Sequence, residues 1–382
     1  METGNEKYAC WYRDQYAKRF RTLADFLDYH SATEATDQWR LQALRDLKVI
    51  PLPEDRQQLA AAAAAYGIDE GIVADTHRNS QLLLKVGGCY HALRGCALQS
   101  LCSRARISGE SLYRLKPARR ARILNWCLAL YKDRGQVYIS HDKVSAVHSK
   151  DYCRLPVTEL MEALTNSLTG RFRGFVFEEG YADATVSSAT FRLLDNSVLD
   201  AYRSELKAMG KDDDGLCPGL RFVTSNTAVS SAGVRTYICR PGRKLWIGTP
   251  VQVAHRHGNN VRTFAEYTDM LYPKFVHTAR ALQALLHIQL EYPVRAMELV
   301  MDKIGIPKKL AASALQLFQA RHGINAATAH DVYWGIAEVL FLARSEDMDQ
   351  ASIFALEDKT ARALHIRWTD YDRAYALKEA AA

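Results

Sequence analysis

The sequence predicts an α+β protein in which a central, mostly antiparallel sheet domain is flanked by helical N- and C-terminal regions. Three observations carry that reading. Apolar residues recur at helical spacing near both ends of the 382-residue chain. Short runs rich in β-formers, separated by glycine and proline, fill much of the stretch between. Finally, 48% of the residues are apolar, enough for a sizeable core. The expected divisions are a helical region over 1–78, an α+β domain with a basic sheet over 79–262 and a helical region over 263–382.

Tyr16, Phe20, Leu23, Phe26 and Leu27 recur at spacings of three and four and mark one amphipathic helix. Ser31, followed three residues later by Glu34, resembles a capping box ahead of a second helix carrying Trp39, Leu41, Leu44 and Leu47, which Pro51 and Pro53 stop. The run Ala60–Ala65 has high helix propensity, and Gly67 is placed to end it in the left-handed conformation. Helices are also expected through Leu82–Lys85 and Tyr90–Cys102. After a break at Ile107-Ser-Gly-Glu110, Ser111 can cap the next segment. Pro117 then opens a basic helix to Tyr131, with Arg119, Arg120 and Arg122 opposite an apolar face of Ile123, Trp126, Cys127 and Leu130.

Alternation at Val137 and Ile139, and again at Val144, Ala146 and His148, predicts a hairpin around His141-Asp142-Lys143. A helix carrying Leu160, Met161, Leu164 and Leu168 comes next, then strands over Arg171–Phe177 and around Phe191. Lys211-Asp212-Asp213-Asp214-Gly215 reads as a turn. Four strands are expected at Leu220–Ser225, Val234–Cys239, Lys244–Ile247 and Val251–His255, with Pro241-Gly242 a strong turn signal. Beyond Thr263 the pattern is helical, from a long helix reaching Glu291 to segments at 294–304, 308–321, 328–344 and 349–365. His330, Asp331, Tyr333 and Trp334 read as a capped helix start with aromatic packing.

Charge is the most informative functional signal. The chain carries a net charge of +7, and the fifty-one residues from Gly215 to Ala265 contain no Asp or Glu but seven cations: Arg221, Arg235, Arg240, Arg243, Lys244, Arg256 and Arg262. Displayed on a sheet and its turns, these suit the phosphates of a nucleic acid. Trp246, Tyr237 and Phe222 offer rings on which an unpaired base can stack. The competing reading is that acids on neighbouring helices cancel the field. Residues 101–150 hold a second excess, eleven Lys or Arg against three acids.

No phosphate-cradling Gly-x-x-x-x-Gly-Lys-Ser/Thr loop, His-Glu-x-x-His or Gly-x-Ser-x-Gly motif occurs, which argues against an ATPase or a zinc peptidase. Neither catalytic residues nor a cofactor are assigned. His255 and His257, two apart, and Asp212–Asp214 are the metal candidates considered, and no metal is expected. The eight cysteines lack a metal or redox spacing and are expected as reduced, mostly buried thiols. Met1–Lys7 lacks the apolar stretch of a signal peptide, and no run of about eighteen apolar residues occurs, so a cytoplasmic, membrane-free protein is expected.

The order of Arg106-Ile-Ser-Gly109, Leu124-Asn125, Val144-Ser-Ala-Val-His-Ser-Lys-Asp-Tyr152, Val223-Thr-Ser-Asn226, Cys239-Arg-Pro-Gly242 and His255-Arg-His-Gly258 resembles the phage/plasmid-like family, domain of unknown function 932, over roughly residues 79–345. An Asn-Ser-acid-x-Gly motif of that family stands here as Asn226-Thr-Ala-Val229, and a Cys-x-Asn-Gly motif as Cys239-Arg-Pro-Gly242. Chemistry tied to that acid or Asn is therefore not carried over. The resemblance implies a mobile-element protein. With the basic sheet, it leads to a non-catalytic protein binding single-stranded DNA in replication, annealing or recombination, with self-association expected. On this reading Arg235, Arg240, Arg243, Lys244, Arg256 and Arg262 contact phosphates, Trp246 or Tyr237 stacks a base, and Arg119, Arg120 and Arg122 add a second surface. The alternatives are a protein that antagonises a host defence factor through its helical ends, and a metal-dependent nuclease.

Overall fold

The structure is a computed structural model, and it describes residues 10–108 and 110–374. Met1–Lys7, which lacks the apolar stretch of a signal peptide, and Gly109, in the break before Ser111, lie outside the described residues. In chain order the first elements are β1 (Ala17–Phe20), α1 (Leu23–Thr36), β2 (Gln38–Ala43), β3 (Lys48–Pro51), α2 (Leu59–Tyr66), α3 (Glu70–Arg78), β4 (Leu82–Val86), β5 (Cys89–Leu93), α4 (Gly95–Arg104), α5 (Pro117–Ala129), β6 (Arg134–Ser140) and β7 (Lys143–Ser149). Next come α6 (Val157–Arg171), β8 (Phe175–Asp183), β9 (Ser187–Leu193), α7 (Asp200–Ala208), β10 (Cys217–Thr224), β11 (Ala232–Arg240) and β12 (Arg243–Val253). The remainder is α8 (Val261–Thr268), α9 (Leu271–Ala284), β13 (Gln289–Leu290), α10 (Pro293–Lys303), α11 (Lys308–His322), β14 (Ala327–Thr328), α12 (Ala329–Ser345) and α13 (Gln350–Arg362). The protein is α+β.

Two six-stranded sheets dominate. One runs β1-β8-β9-β10-β11-β12 and is antiparallel throughout. The other runs β2-β6-β7-β5-β4-β3, with one parallel pair, β5 beside β7. Strand β3 pairs with β4, so the boundary expected after residue 78 falls between paired strands.

The N-terminal region is not helical throughout. Residues 38–43 form β2 against β6 rather than a helix, and 82–86 form β4. The reason is visible in Leu82, Leu83 and Leu84, all fully buried. Leu82 and Leu84 face the cluster under α4 and α5, while Leu83 faces the one under α2 and α3. A strand covered on both faces is a continuous apolar run with no alternation, and such a run is ambiguous between helix and strand. Tyr90 likewise begins β5, and α4 starts only at Gly95.

Several smaller expectations also change. Glu34 caps no helix of its own. It accepts from the backbone N–H groups of Val157 and Thr158 at the start of α6, while Thr22 caps α1. Arg171 ends α6, and its strand begins at Phe175. The two strands expected at 244–247 and 251–255 are one, β12, with a register shift opposite Val234 and Thr236. The long C-terminal helix is broken into α8 and α9. Cys217 and Cys239 are directly opposite on β10 and β11 with their sulfurs within bonding distance, so they are not the reduced pair expected. Of the six free thiols only Cys102 is buried.

Other signals read as expected. Gly67 ends α2 with φ +65°, Pro241-Gly242 turns β11 into β12, and His141-Asp142 turns β6 into β7. The sheets meet at a seam of flat rings. His148 stacks on Tyr152 at 3.8 Å between centroids, Tyr152 on His255 at 5.1 Å and Trp39 on Tyr138 at 4.4 Å.

Candidate nucleic-acid interface

Arg221 and Arg235 sit directly opposite each other on β10 and β11. Like charges in that position repel, and α13 relieves the repulsion with consecutive acids. Arg221 Nη1 lies 2.6 Å from Glu357, and Arg235 pairs with both oxygens of Asp358 at 2.5 and 2.7 Å. Arg243 pairs with Glu338 on α12 at 3.1 Å, Lys244 with Glu178 at 3.2 Å and Arg262 with Glu266 at 3.1 Å. Arg240 donates to the Asp212 carbonyl and lies over the Trp334 ring. Of the cations proposed in this stretch, only exposed Arg256 has no partner among the described residues. The competing reading therefore describes this sheet: acids from outside the acid-free stretch offset most of its charge.

The stacking residues expected here are also corrected. Tyr237 is 0% exposed and Trp246 1%. The Tyr237 hydroxyl donates to Glu178, and burial with that carboxylate raises its pKa far above the usual value. Neither ring offers a face to a base. Leu220 and Phe222 face the main core, with Phe222 against Phe264 of α8. Arg221 and Val223, one residue out of phase, face α13. With helices over both faces, the outward positions on these strands are interior positions, and a cation there needs an acid.

The basic helix α5 differs. Its buried face is Ala121, Leu124 and Leu128 together with Arg120, whose guanidinium donates to the carbonyls of Ser80 and Leu115. Arg120 is thus structural, and burial lowers its pKa. Of the expected apolar face, Ile123 and Cys127 pack at the edge of the core, while Trp126 and Leu130 turn to solvent, 59% and 77% exposed. Arg119 and Arg122 are exposed and have no acidic partner among the described residues, and Arg122 lies 4.5 Å from the centre of the Trp126 ring.

Asn125 fixes this helix against β3. Its side-chain amide accepts from Val49 N at 2.7 Å and donates to Val49 O at 2.8 Å, blunting an edge strand that would otherwise be open to pairing. Between α5 and β3 lies a groove of about 430 Å³ bordered by Lys48, Pro51, Arg122 and Trp126. A second groove of about 320 Å³ carries Arg104, Arg106, Arg134 and Lys150 with Asp133 and Asp151, and Arg106 stacks on Tyr131 at 4.5 Å. Lys48, on β3, had no sequence signal beyond its charge.

The remaining candidates are occupied. His255 is buried, stacked on Tyr152 and placed 3.1 Å from the Cys153 carbonyl, and burial lowers its pKa to about 4. His257 lies past the end of β12, exposed, so the two imidazoles do not share a face. Asp212 accepts from the Asp214 N–H, and Asp213 pairs with Lys207. No group of three metal-ligating side chains occurs among the described residues. The start of α12 is a capped one: Thr328 and Asp331 form a capping box, and Lys211 lies 2.7 Å from Asp331. No helix among the described residues is long and apolar enough to cross a membrane.

A scan against family profiles finds no match for this chain, and searches of curated proteins and of solved structures find no significant match.

Proposed function

We propose that the chain binds single-stranded nucleic acid, DNA foremost, through α5 and the adjoining β3 groove, as a non-catalytic protein of a phage- or plasmid-like element. The observation that carries this reading is the solvent-exposed Trp126, flanked by Arg122 and bordering a groove whose cations Lys48 and Arg122, like exposed Arg119 on the same helix, have no acidic partner among the described residues. Sequence-tolerant single-strand binders combine a cationic groove with exposed rings on which bases stack. The mobile-element setting rests on the resemblance of motif order alone, and self-association along a strand belongs to the same proposal.

Anisotropy of labelled single- and double-stranded oligonucleotides at several salt concentrations tests it. Each phosphate contact contributes about 0.7 to the logarithmic salt slope for a single strand, so Arg119→Ala with Arg122→Ala should flatten the slope by about 1.4. Trp126→Ala should weaken binding by about 1–3 kcal/mol while leaving the slope in place. Absence of binding by the wild type at low salt would refute the reading and direct attention to a host protein partner. Oligonucleotide loss on adding magnesium or manganese would favour a nuclease.

A further inference from the structure

Helix α4 ends in a Schellman motif. The Ile107 N–H donates to the Cys102 carbonyl at 2.9 Å and the Arg106 N–H to the Ser103 carbonyl at 3.2 Å. The residue at the turn of this motif adopts the left-handed conformation, which glycine takes freely and a residue with a Cβ takes at a cost. Here that residue is Arg106, at φ +54°. Glycine would suit the backbone better, so what the arginine adds at this place is its side chain.

That side chain is 69% exposed, and its guanidinium lies 4.5 Å from the centre of the Tyr131 ring. Asp133 stands 3.9 Å away with its own side chain 71% exposed, and an ion pair so open to water and salt contributes little. The groove of about 320 Å³ that Arg106 borders also carries Arg104, Arg134 and Lys150, with Asp133 and Asp151 as its carboxylates. Arg134 donates to the Leu41 carbonyl at 3.3 Å, while the exposed Lys150 ammonium has no acidic partner among the described residues. Four cations against two carboxylates leave an excess of positive charge around one concavity, and such charge suits phosphate oxygens.

The position of the groove says which phosphates. Leu44 borders it and Lys48 borders the groove on α5, so at most about 14 Å of chain separates the two. Hydrogen bonds fix this connecting segment in place, from Leu44 N to the Asp133 carbonyl at 2.9 Å and from Val49 N to the Asn125 side chain at 2.7 Å. At about 3.4 Å per nucleotide of a stacked strand, about four nucleotides cover that distance. We propose that the strand held beside Trp126 continues into this second groove, where Arg106 and Lys150 hold its phosphates. The inference rests on the nucleic-acid reading of α5 and extends its footprint.

Anisotropy of the full chain with a labelled oligothymidylate of about 12 nucleotides, a length within the range of single-strand grooves, tests it over several salt concentrations. Arg106→Gly should flatten the logarithmic salt slope by about 0.7, Lys150→Ala by a similar amount and the two together by about 1.4. The urea midpoint of Arg106→Gly should stay close to that of the wild type, because relief at φ +54° offsets the lost ring contact and the freer unfolded chain. An arginine kept only for packing on Tyr131 would instead lower that midpoint and leave binding as it was. A double variant with the wild-type slope would overturn the proposal. Should Arg106→Gly not fold, Lys150→Ala decides alone, and an unchanged slope then overturns it. The two readings fail differently. A wild type that binds no oligonucleotide removes the α5 reading together with this one, whereas binding weakened by Arg119→Ala with Arg122→Ala but untouched by the Arg106→Gly, Lys150→Ala pair removes this one alone.

Discussion

At the scale of single residues, the two tryptophans nearest the proposed nucleic-acid chemistry exchange the roles that the sequence predicts for them. Trp246 is enclosed with Arg221 over its ring, and Trp246→Ala should cost about 3–5 kcal/mol of stability, read as a lower urea midpoint. Trp126→Ala should change stability by less than about 0.5 kcal/mol, because its ring is largely in solvent. If Trp126→Ala unfolded the protein, the ring would be a packing element and not a platform. Lys143 is the most demanding single position. It is fully buried on β7, 2.7 Å from Asp14 and 2.6 Å from Asp75, and joins the N-terminal segment to α3. Burial would push the Asp75 carboxyl up, but the hydrogen bond and charge of Lys143 outweigh it and hold its pKa below the usual range. Lys143→Met removes the closest cation from two largely buried carboxylates and should cost about 3–5 kcal/mol, again measured by urea denaturation.

At the scale of elements, α13 acts as the counter-charge of the basic sheet. Glu357 is fully buried against Arg221, with Arg344 at 3.5 Å, and Asp358 pairs with Arg235. Removing the Glu357 carboxylate leaves a buried guanidinium without its closest acid, so Glu357→Ala should cost about 3–5 kcal/mol and loosen α13. Faster amide exchange across 350–362 would show the loosening, and unchanged protection there would mean that apolar contacts alone hold the helix. The same pairing bears on binding. Replacing Arg240, Arg243 and Lys244 by Ala should flatten the salt slope less than the two-residue change on α5, since Arg243 and Lys244 already have acids beside them. A larger effect from the β11–β12 turn would return the interface to the acid-free stretch.

At the scale of the whole molecule, the seam between the sheets makes stability depend on pH. Burial lowers the pKa of His30 to about 3 and of His141, His148 and His255 to about 4. Below about pH 6.5 the unfolded chain takes up these protons and the folded one does not, so stability is full above that pH and is lost as pH falls toward 4. Asp37 opposes this. Burial raises its pKa to about 6, so the folded state gains a proton first and is stabilised as pH falls through 6. Four imidazoles against one carboxyl predict a lower urea midpoint at pH 5 than at pH 7.5; an equal or higher one would mean that the imidazoles are hydrated in the fold. The sequence by itself determined the α+β class, the turns at His141-Asp142 and Pro241-Gly242, the Gly67 cap and the capped start of α12. Each of these depends on backbone preferences or periodicity within a few residues. It also located both cation-rich stretches. Only the tertiary structure decided that 38–43 and 82–86 are strands, that Trp246 and Tyr237 are core while Trp126 is surface, and which cations keep a free charge. Burial and ion pairing are set by what lies across the sheet, and the acids that offset Arg221 and Arg235 lie more than a hundred residues further along the chain.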